Sequence, residues 1–204
     1  MASGTSASRY VRVLTMLAMT ATLALAAACG GGDSTGDGGA AQPATSNYQK
    51  VVPSDRVFTV DDVVAAGAKK GKQYDVTGLS AGKEAWQVFF GPDSSNRFDV
   101  ELRIYATHAS AVTDGTPLAE EGTGEGMVRH KETQSWPSGA KDRWFAGGVT
   151  DVSSPGSKQA PGPRYQDFAI YGNLVMLCQG ADANQSLDRC SLLVQALGGP
   201  SLKK

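Results

Sequence analysis

The sequence is poor in the residues that most often advertise chemistry. Of 204 residues only 3 are Cys and 2 are His. No two cysteines form a CxxC, so local spacing writes neither a zinc site nor a thioredoxin-type redox pair. Charge of one sign is missing as well: 19 basic and 20 acidic groups leave a formal charge of −1. A general nucleic-acid binder needs a basic surface to displace counterions from phosphates, so that class is excluded. No apolar run reaches the roughly 20 residues of a spanning helix. Glycine is plentiful at 25 residues but follows no strict period, and the 41% hydrophobic fraction is ordinary. Collagen, coiled coil and a wholly disordered chain are therefore excluded. The length suits one domain with appendages.

The N-terminus reads as an address. Arg9 and Arg12 form a short positive region with no acid before Asp33, and the run Val13–Ala28 is apolar apart from three Thr. It closes on Leu25-Ala26-Ala27-Ala28-Cys29 followed by three glycines. This resembles the lipobox of bacterial lipoprotein precursors, departing from it in Ala26, where Leu is commoner. The resemblance implies a signal peptide over residues 1–28, removed on export. Cys29 would then carry a diacylglyceryl thioether and further acyl chains such as palmitate. Two or three chains anchor stably, because each buried CH₂ contributes about 0.8 kcal/mol. The expected location is the extracytoplasmic face of the cell membrane. No paired arginines point to a twin-Arg route.

Residues 29–47 comprise Cys29 and a stretch that, from Gly30 to about Ser46, is mostly Gly, Ser, Thr, Asp and Ala with almost nothing to bury. Such a segment is expected to be a flexible tether. Residues 48–204 form a single globular domain in this reading, long enough for a real core.

Patterning in that domain predicts α+β. Thr59-Val60-Asp61-Asp62 opens a helix expected to run to about Lys70, with Gly71 as its stop. From Arg97 to Tyr105 the residues alternate strictly. Phe98, Val100, Leu102 and Ile104 take one face, and Arg97, Asp99, Glu101 and Arg103 the other. That predicts a strand with one buried and one wet side. Trp86–Phe90 predicts a strand before it, and a helix is expected over 110–121, kinked or restarted at Pro117 with Thr116 as cap. Tyr165–Tyr171 and Leu174–Gln179 flank Gly172-Asn173, a two-residue hairpin turn. Its register sets Ile170 opposite Val175 and Phe168 opposite Leu177, with both faces apolar, so these are expected as central strands. Ser186 is expected to open a last helix carrying Leu187, Cys190, Leu193, Val194 and Leu197, stopped at Gly198. Two strand–strand–helix units result, forming an antiparallel sheet with helices packed mainly on one face.

If Cys29 takes lipid, Cys178 and Cys190 remain as an even pair in a disulfide-permissive compartment. A bond between them would pin the last helix to the sheet and contribute about 3 kcal/mol on the chain-entropy model.

Candidate chemistry is thin. Gly78-Leu79-Ser80-Ala81-Gly82 matches a G-x-S-x-G elbow, and Asp99 or Asp114 followed by His130 satisfies triad order. Too few ordered residues precede it for that fold, and the segment after it is strand-like, so a plain loop is expected. His108 and His130 lack zinc-helix spacing and are expected at a helix start and in a polar loop. Gly122-Thr123-Gly124-Glu125-Gly126 lacks the Lys-Ser/Thr of a phosphate loop and reads as a flexible linker. Asp61/Asp62 and Glu120/Glu121 read as a helix start and a solvated helix face, and Lys69 and Lys70 as a helix end rather than a membrane patch. The Gly-, Ser- and Pro-rich stretch from Gly122 to Gly162 holds Trp136, Trp144 and Phe145. Aromatics there either line a ligand cleft or staple the loop to the sheet, and the staple is the expectation.

These features predict a lipid-tethered, non-catalytic domain that binds a small ligand or an envelope protein, with no cofactor, no metal and no catalytic residue assigned. It is too short for a two-lobed solute receptor. The rivals are a small envelope hydrolase using Ser80 or a histidine, and a purely structural assembly partner.

Overall fold

The capping box at Thr59 forms as its sequence implies. In the computed structural model, which describes residues 47–149, 158–159 and 161–204, Thr59 accepts from Asp62 N while the Asp62 side chain answers the Thr59 backbone. The leader and Cys29 lie outside the described residues. Helix α1 covers Val60–Ala65, after the two-residue strand β1 at Val51–Val52. It is shorter than expected. Ala66 caps it and Gly67 follows at φ +106°, a conformation glycine adopts without strain. Lys69 and Lys70 therefore belong not to a helix end but to strand β2, Lys69–Gln73, and Gly71 lies within it. With no apolar alternation, β2 is held by its ladder to β3, Gly82–Phe90. It is an exposed edge strand rich in lysine, the composition that discourages pairing with another chain.

Strand β4, Phe98–Tyr105, pairs antiparallel with β3 across the loop at Gly91–Asn96. Helices α2, His108–Thr113, and α3, Gly115–Glu121, follow. The break falls at Asp114, not at a Thr116 cap. Pro117 sits in the first turn of α3, where its missing N–H removes no helical bond. The middle of the chain holds short strands: β5, Trp144–Phe145, pairs with β8, Gly162–Pro163, and β6, Gly148–Val149, with β7, Lys158–Gln159. Strands β9, Tyr165–Tyr171, and β10, Leu174–Gln179, form the expected hairpin, with Ile170 opposite Val175 and Phe168 opposite Leu177. Gly172 has φ +54° at the first central turn position, where a two-residue hairpin favours glycine.

Helix α4, Ala183–Ala196, begins earlier than expected, because Asp182 rather than Ser186 caps it. Ser186 is buried within the helix, and its Oγ accepts from Gln166 N at 3.1 Å.

The large sheet runs β1-β9-β10-β4-β3-β2, antiparallel throughout except for β1 beside β9. The class is α+β, with the helices packed on the sheet. One face carries α4 and α1, with Leu187, Leu193 and Val63 meeting Leu102, Met176 and Val100. The Cys178–Cys190 disulfide fastens α4 to β10 there. The other face carries α2 and α3 together with Trp136 and Tyr74.

Asn173, directly after the turn glycine, is buried and tied to two distant segments. Its Oδ1 accepts from Phe58 N at 2.7 Å, and its Nδ2 donates to the carbonyls of Phe58 and Tyr105, both at 2.9 Å. At the chain's end Gln49 N donates to Leu202 O and Lys204 N to Asn47 O, so the first and last described stretches run side by side.

Candidate functional site

The strongest departure from expectation lies on β4. Every residue of that strand is buried, including the face expected to be wet. Asp99, Glu101 and Arg103 carry relative exposures of 4%, 0% and 0%. Isolated charges at such positions would be prohibitively desolvated, so each must find a partner. Partners arrive from the irregular middle of the chain. Arg143 Nε donates to Glu101 Oε2 at 2.8 Å, and Arg103 Nε to Glu101 Oε1 at 2.8 Å. Trp136 lies against both cations, with its ring centroid 4.6 Å from the Arg143 guanidinium and 5.0 Å from that of Arg103. The indole Nε1 donates to Asp75 O at 2.9 Å, satisfying the ring's single polar atom.

Two carboxylates one strand step apart are driven in opposite directions. Burial opposes ionisation of Glu101, but the guanidiniums of Arg143 and Arg103 hold it below the ordinary carboxylate range. Burial pushes Asp99 above that range, against hydrogen bonds from Gln87 Nε2 at 2.6 Å and Tyr165 Oη at 2.9 Å. Arg164 stands 3.7 Å from Asp99, too far to offset the desolvation.

This network positions the chain outside it. Arg143 Nη1 donates to Gln134 Oε1 at 2.8 Å and Trp136 O at 3.0 Å, and Nη2 to Ser138 O at 2.6 Å. Gln134 in turn hydrogen-bonds the Val128 carbonyl. One buried guanidinium thus ties down the segment after Val128, the 134–138 turn, and Trp144 beside it in sequence. Outside them opens a cleft of about 400 Å³, lined by Arg129, Lys131, Glu132, Ala140, Lys141 and Trp144, with His130 and Ala146 completing it. The Arg129 guanidinium lies 4.1 Å from the centroid of the Trp144 ring. A second cleft, of about 540 Å³ between Pro163 and Asp182, has less to offer: the Asp182 carboxylate already accepts from Gln185 N as the cap of α4.

The sequence-derived candidates distribute as follows. Trp136 is a staple, buried beneath the middle of the chain, whereas Trp144 is half-buried and forms a cleft wall. Ser80 lies in a turn leading into β3 rather than on a strand–turn–helix elbow, and its Oγ donates to Asp114 Oδ1 at 3.1 Å. No histidine joins them: His108, at the start of α2, donates from Nδ1 to Gly172 O at 2.8 Å, and His130 lies in the cleft wall. Asp99 is enclosed by Gln87 and Tyr165, so it is not free to serve a triad. The supposed flexible linker is packed at its start, where Gly122 and Thr123 are buried and Thr123 Oγ1 donates to Ala119 O. Glu121 is not merely solvated, since its Oε1 accepts from Ser135 N at 2.6 Å. Among the described residues no group of three or more His, Cys, Asp or Glu could hold a metal ion. Nor, among them, is any helix long and apolar enough to cross a membrane.

Sequence reasoning missed Glu101, Arg103 and Arg143 as a unit, and with them the cations around Trp144. A usable signal was present: Glu101 and Arg103 stand on one strand face, with several Arg and Lys in the long connection that follows.

The fold and site define an α+β domain built on a six-stranded sheet, with a buried ion cluster under an exposed basic cleft. The chain belongs to the DUF6810 family, a family of unknown function, whose match covers residues 59–199, from the cap of α1 to the glycines that follow α4. No curated protein and no solved structure matches it.

Proposed function

We propose that this protein is a membrane-anchored, extracytoplasmic lipoprotein whose folded domain binds a ligand or an envelope protein and performs no chemistry of its own. The observation that carries the binding role is the cleft around Trp144. It is a concavity of about 400 Å³, in the size range of small-molecule sites, and its walls are fixed from beneath by Arg143. The anchor rests on the Leu25–Cys29 sequence, and the Cys178–Cys190 disulfide suits residence in an oxidising compartment. The hydrolase reading is disfavoured by Ser80 pairing with Asp114 without a histidine as base.

Two measurements test this reading. Cys29→Ala should move the protein from the membrane to the soluble fraction and remove the acyl mass from its N-terminal peptide; unchanged membrane retention rejects the lipid anchor. Capture from envelope extracts should retain a specific component on the native protein and lose it on Trp144→Ala. Absence of any specific component rejects the binding role.

A further inference from the structure

The walls of the Trp144 cleft are electrically one-sided. Arg129, Lys131 and Lys141 line it, and Glu132 is the one carboxylate beside them. None of the three cations forms an ion pair among the described residues. Elsewhere on the domain Lys50, Arg56, Lys70 and Lys72 each reach an aspartate. Three cations beside a single carboxylate leave an excess of positive charge that lowers the potential energy of any anion that enters. The same cleft offers a flat apolar surface, the half-buried Trp144 indole, with the Arg129 guanidinium 4.1 Å from its ring centroid.

We propose that this cleft binds a small organic anion carrying a flat ring, its carboxylate or phosphate facing Lys131 and Lys141 and its ring lying along Trp144 and Arg129. The proposal rests on the binding reading above and gives it a ligand class. Neither half of such a ligand uses the whole site. A bare inorganic anion leaves the indole in water, and a neutral ring leaves the cations uncompensated. Stacking on the indole or on the guanidinium plane is selective for flat groups. The site is also held in place before any ligand arrives. Arg143, the neighbour of Trp144, is anchored to Glu101, and Arg164 N, just after β8, donates to Arg143 O at 2.7 Å. Gln134, held by the same guanidinium, fixes the Val128 carbonyl next to Arg129. Ordering of the backbone is therefore largely complete beforehand, which favours affinity for a small molecule.

Isothermal titration of the purified full-length protein in detergent provides the test, with phenyl phosphate, benzoate, inorganic phosphate and benzyl alcohol as probes. Phenyl phosphate and benzoate are expected to bind at least tenfold more tightly than inorganic phosphate or benzyl alcohol. The exposed double variant Lys131→Gln/Lys141→Gln should lose at least tenfold of that affinity with its near-UV circular dichroism unchanged. Ring-bearing anions binding no better than inorganic phosphate, or binding the variant equally well, would overturn the proposal. Capture of an envelope component by a native protein that binds none of the four probes would remove the anion site while leaving the binding role intact. Failure of every form to capture anything would remove that role as well.

Discussion

Arg143 donates Nε–H to Glu101 Oε2 at 2.8 Å across 42 residues of chain, and through this bond the irregular middle of the protein is fastened to a central strand of its sheet. The carboxylate is shared with Arg103, so neither cation has an alternative anion of comparable proximity. A buried cluster of this kind contributes little net stability relative to an apolar core, but breaking it leaves charge stranded without water.

Glu101→Gln should accordingly destabilise the domain by about 3–5 kcal/mol at neutral pH, since two buried guanidiniums lose their counter-charge. The folded state holds Glu101 below the ordinary carboxylate range, so its contribution is present above that range and fades as pH falls through the folded value. Thermal melts of both proteins from pH 7 to pH 3 should show the deficit shrinking on the acid side. A deficit independent of pH would show that packing, not charge, is what the substitution removes.

Asp99→Asn should behave oppositely. Burial raises the Asp99 carboxyl, so the native protein carries a penalty that is absent below the ordinary carboxylate range and grows as pH rises through the folded value. An asparagine keeps one acceptor oxygen for Gln87 Nε2, and its Nδ2 donates to the Tyr165 hydroxyl, without that penalty. The melting temperature of the variant relative to the native protein should therefore climb between pH 3 and pH 7 and then level off. A relative melting temperature that falls over this interval would refute the assignment.

Removing both Cys178 and Cys190 as alanines should cost about 3 kcal/mol on the chain-entropy account of a short closed loop. Urea unfolding of the native protein with and without reductant gives an independent reading. The midpoint should drop on reduction, and reductant should leave the double variant unaffected.

Asn173→Ala should be among the most damaging single substitutions on the hairpin. It strands the Phe58 N–H and the carbonyls of Phe58 and Tyr105, at about 1–3 kcal/mol for each buried group left without a partner. Asn173→Asp keeps the acceptor for Phe58 N but loses both donated bonds, so its urea midpoint should fall as well.

The parts of this fold legible in the sequence are those written by neighbours along the chain. A two-residue turn with apolar residues on both flanks dictated the β9–β10 register, and Thr59 with Asp62 dictated the start of α1. Spacing along a strand and a helix brought Cys178 and Cys190 together. What failed depended on distant partners. Strict alternation on β4 describes a strand with one polar face, but whether that face meets water depends on a countercharge delivered from the long connection. Lys69–Gln73 carries no periodic signal, and it is a strand because β3 offers it an unpaired edge. The Trp144 cleft is half visible: the aromatic stands out in its Gly-, Ser- and Pro-rich stretch, while the cations around it follow no local pattern that groups them with it.

The pairing of residues 47–49 with 202–204 bears on how traction enters the molecule. A tug arriving at Asn47 is shared at once with the tail, and Leu202, whose N–H donates to Ser191 on α4, carries it toward that helix. The tail works as a latch across the doorway of the fold. A passenger protein fused behind Lys204 would hang from the same corner as any leash, leaving the opposite, lysine-fringed edge at β2 unobstructed.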